Sequence, residues 1–164
     1  MHKHSISPDQ ASSMKTELIA LLRGGQAHVP FSSAVEDLPL KAVGVKPPGL
    51  PYSIWQLVEH IRIAQADILA FCRTPDYVSP KWPDDYWPGE AAPAHVSVWE
   101  KSLEKIGSDL DSFIALISDP KADMFTPFAH GQGQNLFREA LLIADHTSYH
   151  TGEILVIRRL LDRW

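Results

Sequence analysis

Val96, Trp99, Leu103, Ile106, Leu110, Phe113 and Ile117 follow one another at alternating steps of three and four. Only an α-helix gathers such a series onto one side of the chain; an extended strand would send it to both faces. The stripe covers about six helical turns. No single loop hides an apolar seam of that length. Other helices must lie along it, so the chain is expected to form a helical bundle.

Three further helices can be read. The first opens at Ser7-Pro8-Asp9-Gln10, with Ser7 as N-cap, Pro8 at the first helical position and Gln10 closing a capping box. Its apolar stripe is Ala11, Met14, Leu18 and Leu21, and Gly24-Gly25 ends it. The second begins at Ser53 with Gln56 as capping partner, buries Leu57, Ile61, Ala64, Ile68 and Phe71, and stops near Arg73. The third is the seam above, starting between Pro93 and Ser97. The fourth runs from about Asn135 to Leu161, with Leu136, Ile143, His146, His150, Ile154, Ile157 and Leu161 on its inner face. Between the first two helices, residues 26–52 hold Pro30, Pro39, Pro47, Pro48 and Pro51 and should be irregular. Residues 74–92 are rich in proline and also carry Tyr77, Trp82, Tyr86 and Trp87. With no alternating strand pattern, the fold class is all-α, a four-helix bundle with long Pro-rich connections, forming one domain over residues 1–164.

Bulk properties exclude several function classes. The formal charge is -5 and no Lys/Arg run exceeds Arg158-Arg159, so the basic stripe that neutralises phosphates is missing and nucleic acid is not expected as a partner. No apolar run approaches the roughly 20 residues that span a bilayer. The N-terminal MHKHS has no signal-peptide core. The single cysteine, Cys72, has no intramolecular partner, which points to a reducing compartment. A soluble, cytoplasmic protein is expected.

Chemistry concentrates on the fourth helix. His146 and His150 stand four residues apart, which stacks their imidazoles on one face, about 5–6 Å between Cβ atoms. Both continue an apolar stripe, where a neutral imidazole needs a partner for each ring nitrogen. His60, one turn from Leu57 and Ala64 on the second helix, supplies an opposite wall. Three neutral imidazoles meeting in a bundle suit Zn, Ni or Fe with positions left open. The alternative is that each is a core histidine bonded to a backbone carbonyl. His2, His4, His28, His95 and His130 fall in the tail, in loops or at a helix start and read as surface residues.

Residues 143–154 (IADHTSYHTGEI) resemble the final-helix signature of the DinB-like (DinB/YfiT) superfamily, in which an Asp-His pair precedes a Tyr-His-x-Gly stretch. Residues 57–61 (LVEHI) are similar to that family's second-helix motif, and the order of elements agrees. The resemblance implies a bundle that binds a divalent ion through His60, His146 and His150. It also implies a small-molecule substrate. Several relatives are thiol-dependent transferases or isomerases, in which the metal lowers the pKa of a low-molecular-weight thiol; others are described as metal-dependent hydrolases. The chain departs from the commonest pattern at Glu153, where relatives often carry Gln. Bundles of this kind often pair, so a homodimer is a further expectation.

Around this set, Glu139 is two turns before His146 and suits either a general base or a structural carboxylate pairing Arg138, Arg62 or a loop amide. Glu153 suits proton transfer beside the ion or a fourth ligand. Asp145 points about 100° from His146 and should contact another element. Glu59 is expected on a solvated or interhelical face, and Tyr149 either donates a hydrogen bond near the site or, by default, packs between helices. Trp82, Tyr86 and Trp87 either roof a pocket or pin their loop to the bundle. Cys72 lies about three turns from His60 and should be an inert buried thiol. The leading expectation is a metal-dependent enzyme, hydrolase or thiol transferase. Its alternatives are a non-catalytic metal- or ligand-binding protein and a metal-free helical interaction module.

Overall fold

Serine sets the start of two long helices. In a computed structural model, which describes residues 7–163, Ser7 and Ser53 each accept a bond from the backbone N–H three residues on. Gln10 and Gln56 reach back to the cap amides, so both capping boxes are closed. His2 and His4 and the MHKHS stretch lie outside the described residues.

The resulting helices are α1 (Pro8–Arg23) and α4 (Ile54–Arg73). Gly24 and Gly25 follow α1 with positive φ, a conformation that costs glycine little. The remaining long helices are α5 (Val96–Ser118) and α6 (Leu136–Leu160), the latter capped by the Asn135 side chain on the Arg138 amide. Val96, placed by periodicity at the start of the α5 seam, is exposed; the buried seam begins at Trp99.

Residues 26–52 are less irregular than their prolines imply. They contain two short helices, α2 (Phe31–Val35) and α3 (Leu40–Val43), each starting directly after a proline, Pro30 and Pro39. A proline just ahead of a helix interrupts no helical hydrogen bond. Ala34, Val35, Ala42 and Val43 are buried, so the segment is part of the core. Arg158 of α6 fastens it: the guanidinium is buried and donates to the carbonyls of Ala34 and Glu36 at 2.9 and 2.8 Å.

Among the described residues the protein is all-helical, with six α-helices, one 3₁₀ turn (Asp84–Tyr86) and no strand, an arrangement compatible with a helical bundle. α4 packs on α5 and α6, and α1 packs on the same two helices. The core has two parts. One joins Ile54, Leu57, Val58 and Ile61 of α4 to Ile154 and Ile157 of α6, under α2 and α3. The other joins Ile68 and Leu69 of α4 to Leu136, Ala140 and Ile143 of α6, with Leu18 and Leu22 of α1. The N-terminal half of α4 therefore meets the C-terminal half of α6, and the two run antiparallel. His60 on α4, and His146 and His150 on α6, occupy the middle of this pair, where the two apolar clusters meet. No helix among the described residues is long and apolar enough to cross a membrane.

Candidate metal centre

The antiparallel pairing of α4 and α6 brings the three histidines face to face. One ligand atom from each of His60, His146 and His150 lies within 4.8 Å of the others, the arrangement that could hold a metal ion. His60 Nε2 and His146 Nε2 approach to 3.0 Å. The other nitrogen of His60 donates to the Tyr86 carbonyl, Nδ1···O 2.9 Å, which leaves Nε2 with its lone pair. His150 Nδ1 donates to Glu153 Oε2 at 2.6 Å, so its Nε2 is likewise the nitrogen left to coordinate. A carboxylate or carbonyl behind a ligating imidazole fixes its tautomer and raises its basicity. The donor set therefore fits a borderline-soft divalent cation.

Electrostatics favour neutral rings. Burial drives His146 down to about 4, and the neighbouring His150 and His60 add to the shift. Burial likewise drives His150 to about 4, with His60 contributing. His60 is lowered too, again by burial, against smaller opposing effects of the Tyr86 bond and Glu153. At neutral pH all three rings are uncharged, the form in which imidazole binds metals. Burial raises the Glu153 carboxyl, partly offset by His60.

The segment between α4 and α5 is both roof and brace. It is joined to one face of α4 at four points spaced like helical turns. Ser53 Oγ donates to the Ala91 carbonyl, and Gln56 Nε2 to that of Pro88 at 3.3 Å. His60 meets Tyr86 as above, and the Tyr86 hydroxyl donates to Asp67 Oδ2 at 2.7 Å. Asp67 raises the Tyr86 phenol further after burial has done so. Trp87 stacks on His60 with ring centroids 3.8 Å apart, and Tyr52 stacks on Trp87 at 4.0 Å. Of the two roles expected for the aromatic loop, Tyr86 is buried and pins, while Trp82 and Trp87 wall a cavity of about 410 Å³ beside the histidines. Tyr52, Leu142, Asp145, Tyr149 and Glu153 complete its lining.

The other candidates separate. Glu139 is not brought to the cluster. It is buried against Arg138 Nη1 at 2.6 Å, the structural pairing, and lies close enough to Cys72 to raise that thiol. Cys72 is half-buried and pushed to about 12, chiefly by burial. Glu59 is buried and bonded through both oxygens to Arg62, each at 2.8 Å. Tyr149 is mostly exposed, with its ring edge-on to His150. His130 is half-buried rather than a plain surface residue, bonded to the Phe71 carbonyl at 2.9 Å. Sequence reasoning missed the backbone carbonyl of Tyr86 and the Tyr52–Trp87–His60 stack. Both depend on how a long loop folds back, and no local pattern encodes that.

A larger cavity, about 1240 Å³, opens between α1, α2, α5 and α6. It shares Leu142 and Asp145 with the histidine cavity but contains none of the three histidines. Size alone would favour it; the chemistry lies in the smaller one. No protein-family model matches the chain, and no curated protein matches it significantly.

Proposed function

We propose that this protein is a divalent-metal-dependent enzyme of the DinB-like kind, a hydrolase or thiol transferase acting on a small molecule, and that it works in the cytoplasm. The observation that carries the reading is the convergence of three neutral imidazoles, two with their outer nitrogens already committed to acceptors. His60, His146 and His150 hold the ion, which is Ni, Zn or Fe. Such an ion supplies Lewis acidity, making a proton on water or a thiol easier to lose at neutral pH.

The chain's own residues do the rest. Tyr86 and Glu153 keep two rings in the coordinating tautomer. Trp87, stacked on His60, and the loop that carries it exclude water from one side of the ligand set. Glu153, with its carboxyl raised by burial and bordering the cavity, is the group placed to accept or return a proton. Glu139 has no such position. Cys72, set apart and held as thiol, is not the nucleophile, so a transferable thiol comes from a co-substrate.

Elemental analysis of tag-free protein tests the assignment. Near-stoichiometric Ni, Zn or Fe is expected in the wild type and lost in both His146→Ala and His150→Ala. Loaded protein is then screened against thiol-transfer and hydrolytic substrates. Wild-type protein that stays metal-free after incubation with all three ions would sink the proposal.

A further inference from the structure

The cavity beside the histidines has an unusual balance of side chains. Its walls include four aromatic rings, from Tyr52, Trp82, Trp87 and Tyr149, and two carboxylates, from Asp145 and Glu153. Among the described residues that line it there is no lysine or arginine. A site for a phosphorylated or polycarboxylate substrate is built the other way, with arginine forks or lysines waiting for the anion.

The rings differ in how they are used. Trp87 has Tyr52 on one face and His60 on the other, so it is structural packing. Trp82 and Tyr149 are 68% and 66% exposed, although each borders the cavity and lies beside a histidine of the cluster. Tyr86 meets Trp82 edge to face, ring centroids 5.3 Å apart, which holds that ring at the rim while most of it stays exposed to a ligand. The negative faces of Trp82 and Tyr149 attract a cation, and they attract best one that gives up its water easily. A methylated ammonium does so; a bare ammonium, strongly hydrated, does not.

We propose that the substrate carries a compact quaternary ammonium group, seated against Trp82 and Tyr149 at the rim of the histidine cavity, with its reactive end directed at the three histidines. The identity of the reactive end rests on the metal-enzyme reading above; the seat for the ammonium does not. Asp145 and Glu153 set the sign of the surroundings, and the aromatic faces supply the contact. A cavity of about 410 Å³ suits a small molecule of this class.

Choline is a suitable probe, and 3,3-dimethyl-1-butanol is its uncharged counterpart of nearly equal shape. Chemical-shift titration of the tryptophan indole N–H signals reads binding of each to metal-loaded protein. Choline is expected to bind saturably and about tenfold more tightly than the alcohol. Trp82→Ala and Tyr149→Ala should each weaken choline several-fold with metal content unchanged, and Trp82→Phe should retain most of the binding. Equal affinity for the two probes, no saturable shift, or indifference to both alanine variants would overturn the proposal. His146→Ala separates the two readings. If the metal assignment fails, choline still binds this variant and the wild type alike; if the ammonium seat fails, metal is still lost from the variant.

Discussion

His60 and His150 each hold one ring nitrogen on an acceptor and turn the other toward a shared point, and this division makes Glu153 testable. Removing the carboxylate behind a ligating imidazole typically costs 10–100-fold in metal affinity, so Glu153→Ala should weaken binding by roughly that factor. Competition with a chromophoric chelator measures it, and unchanged affinity would show that the carboxylate does not support the ring. The buried rings also predict a pH dependence for metal-stripped protein. In the folded chain His146 and His150 titrate at about 4, against an ordinary value of 6.5. Between these values the unfolded chain takes up protons that the folded chain refuses. Stability should therefore fall as pH drops from 6.5 toward 4 and level off below. Each ring contributes a slope of at most about 1.4 kcal/mol per pH unit. Urea midpoints across that window provide the check, and a flat profile would mean that the rings are not buried in the neutral form. A metal bound by the three rings should restore the stability that they forgo. Ion bound at a thousandfold excess over its dissociation constant adds about 4 kcal/mol, or roughly 10 °C in melting temperature, which a chelator should remove.

At the scale of elements, the segment between α4 and α5 behaves as a brace bolted to α4 at Ser53, Gln56, His60 and Asp67. Tyr86 bears two of these functions through different atoms. Its carbonyl orients His60, while its hydroxyl donates to one oxygen of the part-buried Asp67 carboxylate, which the Tyr77 phenol also faces. Tyr86→Phe should therefore cost about 1–3 kcal/mol in urea unfolding and leave metal stoichiometry intact. Loss of metal in this variant would mean that the hydroxyl positions the loop as a whole. The contrast also shows what could be read in advance. The capping boxes at Ser7 and Ser53 were legible because both partners lie within one turn. The facing of His146 and His150 followed from helical period alone. Bringing His60 to the other two histidines required the pairing of α4 with α6, which the apolar stripes indicate but do not align. α2 and α3 were obscured because proline reads as a breaker, whereas Pro30 and Pro39 stand just ahead of the helices they precede. Glu139 and Glu153 are both acidic and both near the histidines in sequence, and only the fold separates them: Glu139 turns to Arg138, Glu153 to His150.

For the molecule as a whole, the three histidines sit between two apolar clusters, so the site is held from both ends by core packing. Arg158 extends that support by tying α2 to α6, its guanidinium buried among backbone carbonyls. Arg158→Met keeps the aliphatic stem and strands those carbonyls. It should destabilise the fold by about 3 kcal/mol, read from the urea midpoint, whereas a change within a few tenths would show that water replaces the guanidinium there. The stack of Tyr52, Trp87 and His60 has a spectroscopic side. An indole stacked on an imidazole that bound a metal would lie close enough for an open-shell ion to quench it by energy or electron transfer. An open-shell Ni or Fe ion would darken Trp87 emission, and closed-shell Zn would leave it bright. If an ion binds there, the stack would serve as an optical gauge that separates an open-shell ion from a closed-shell one without any added dye.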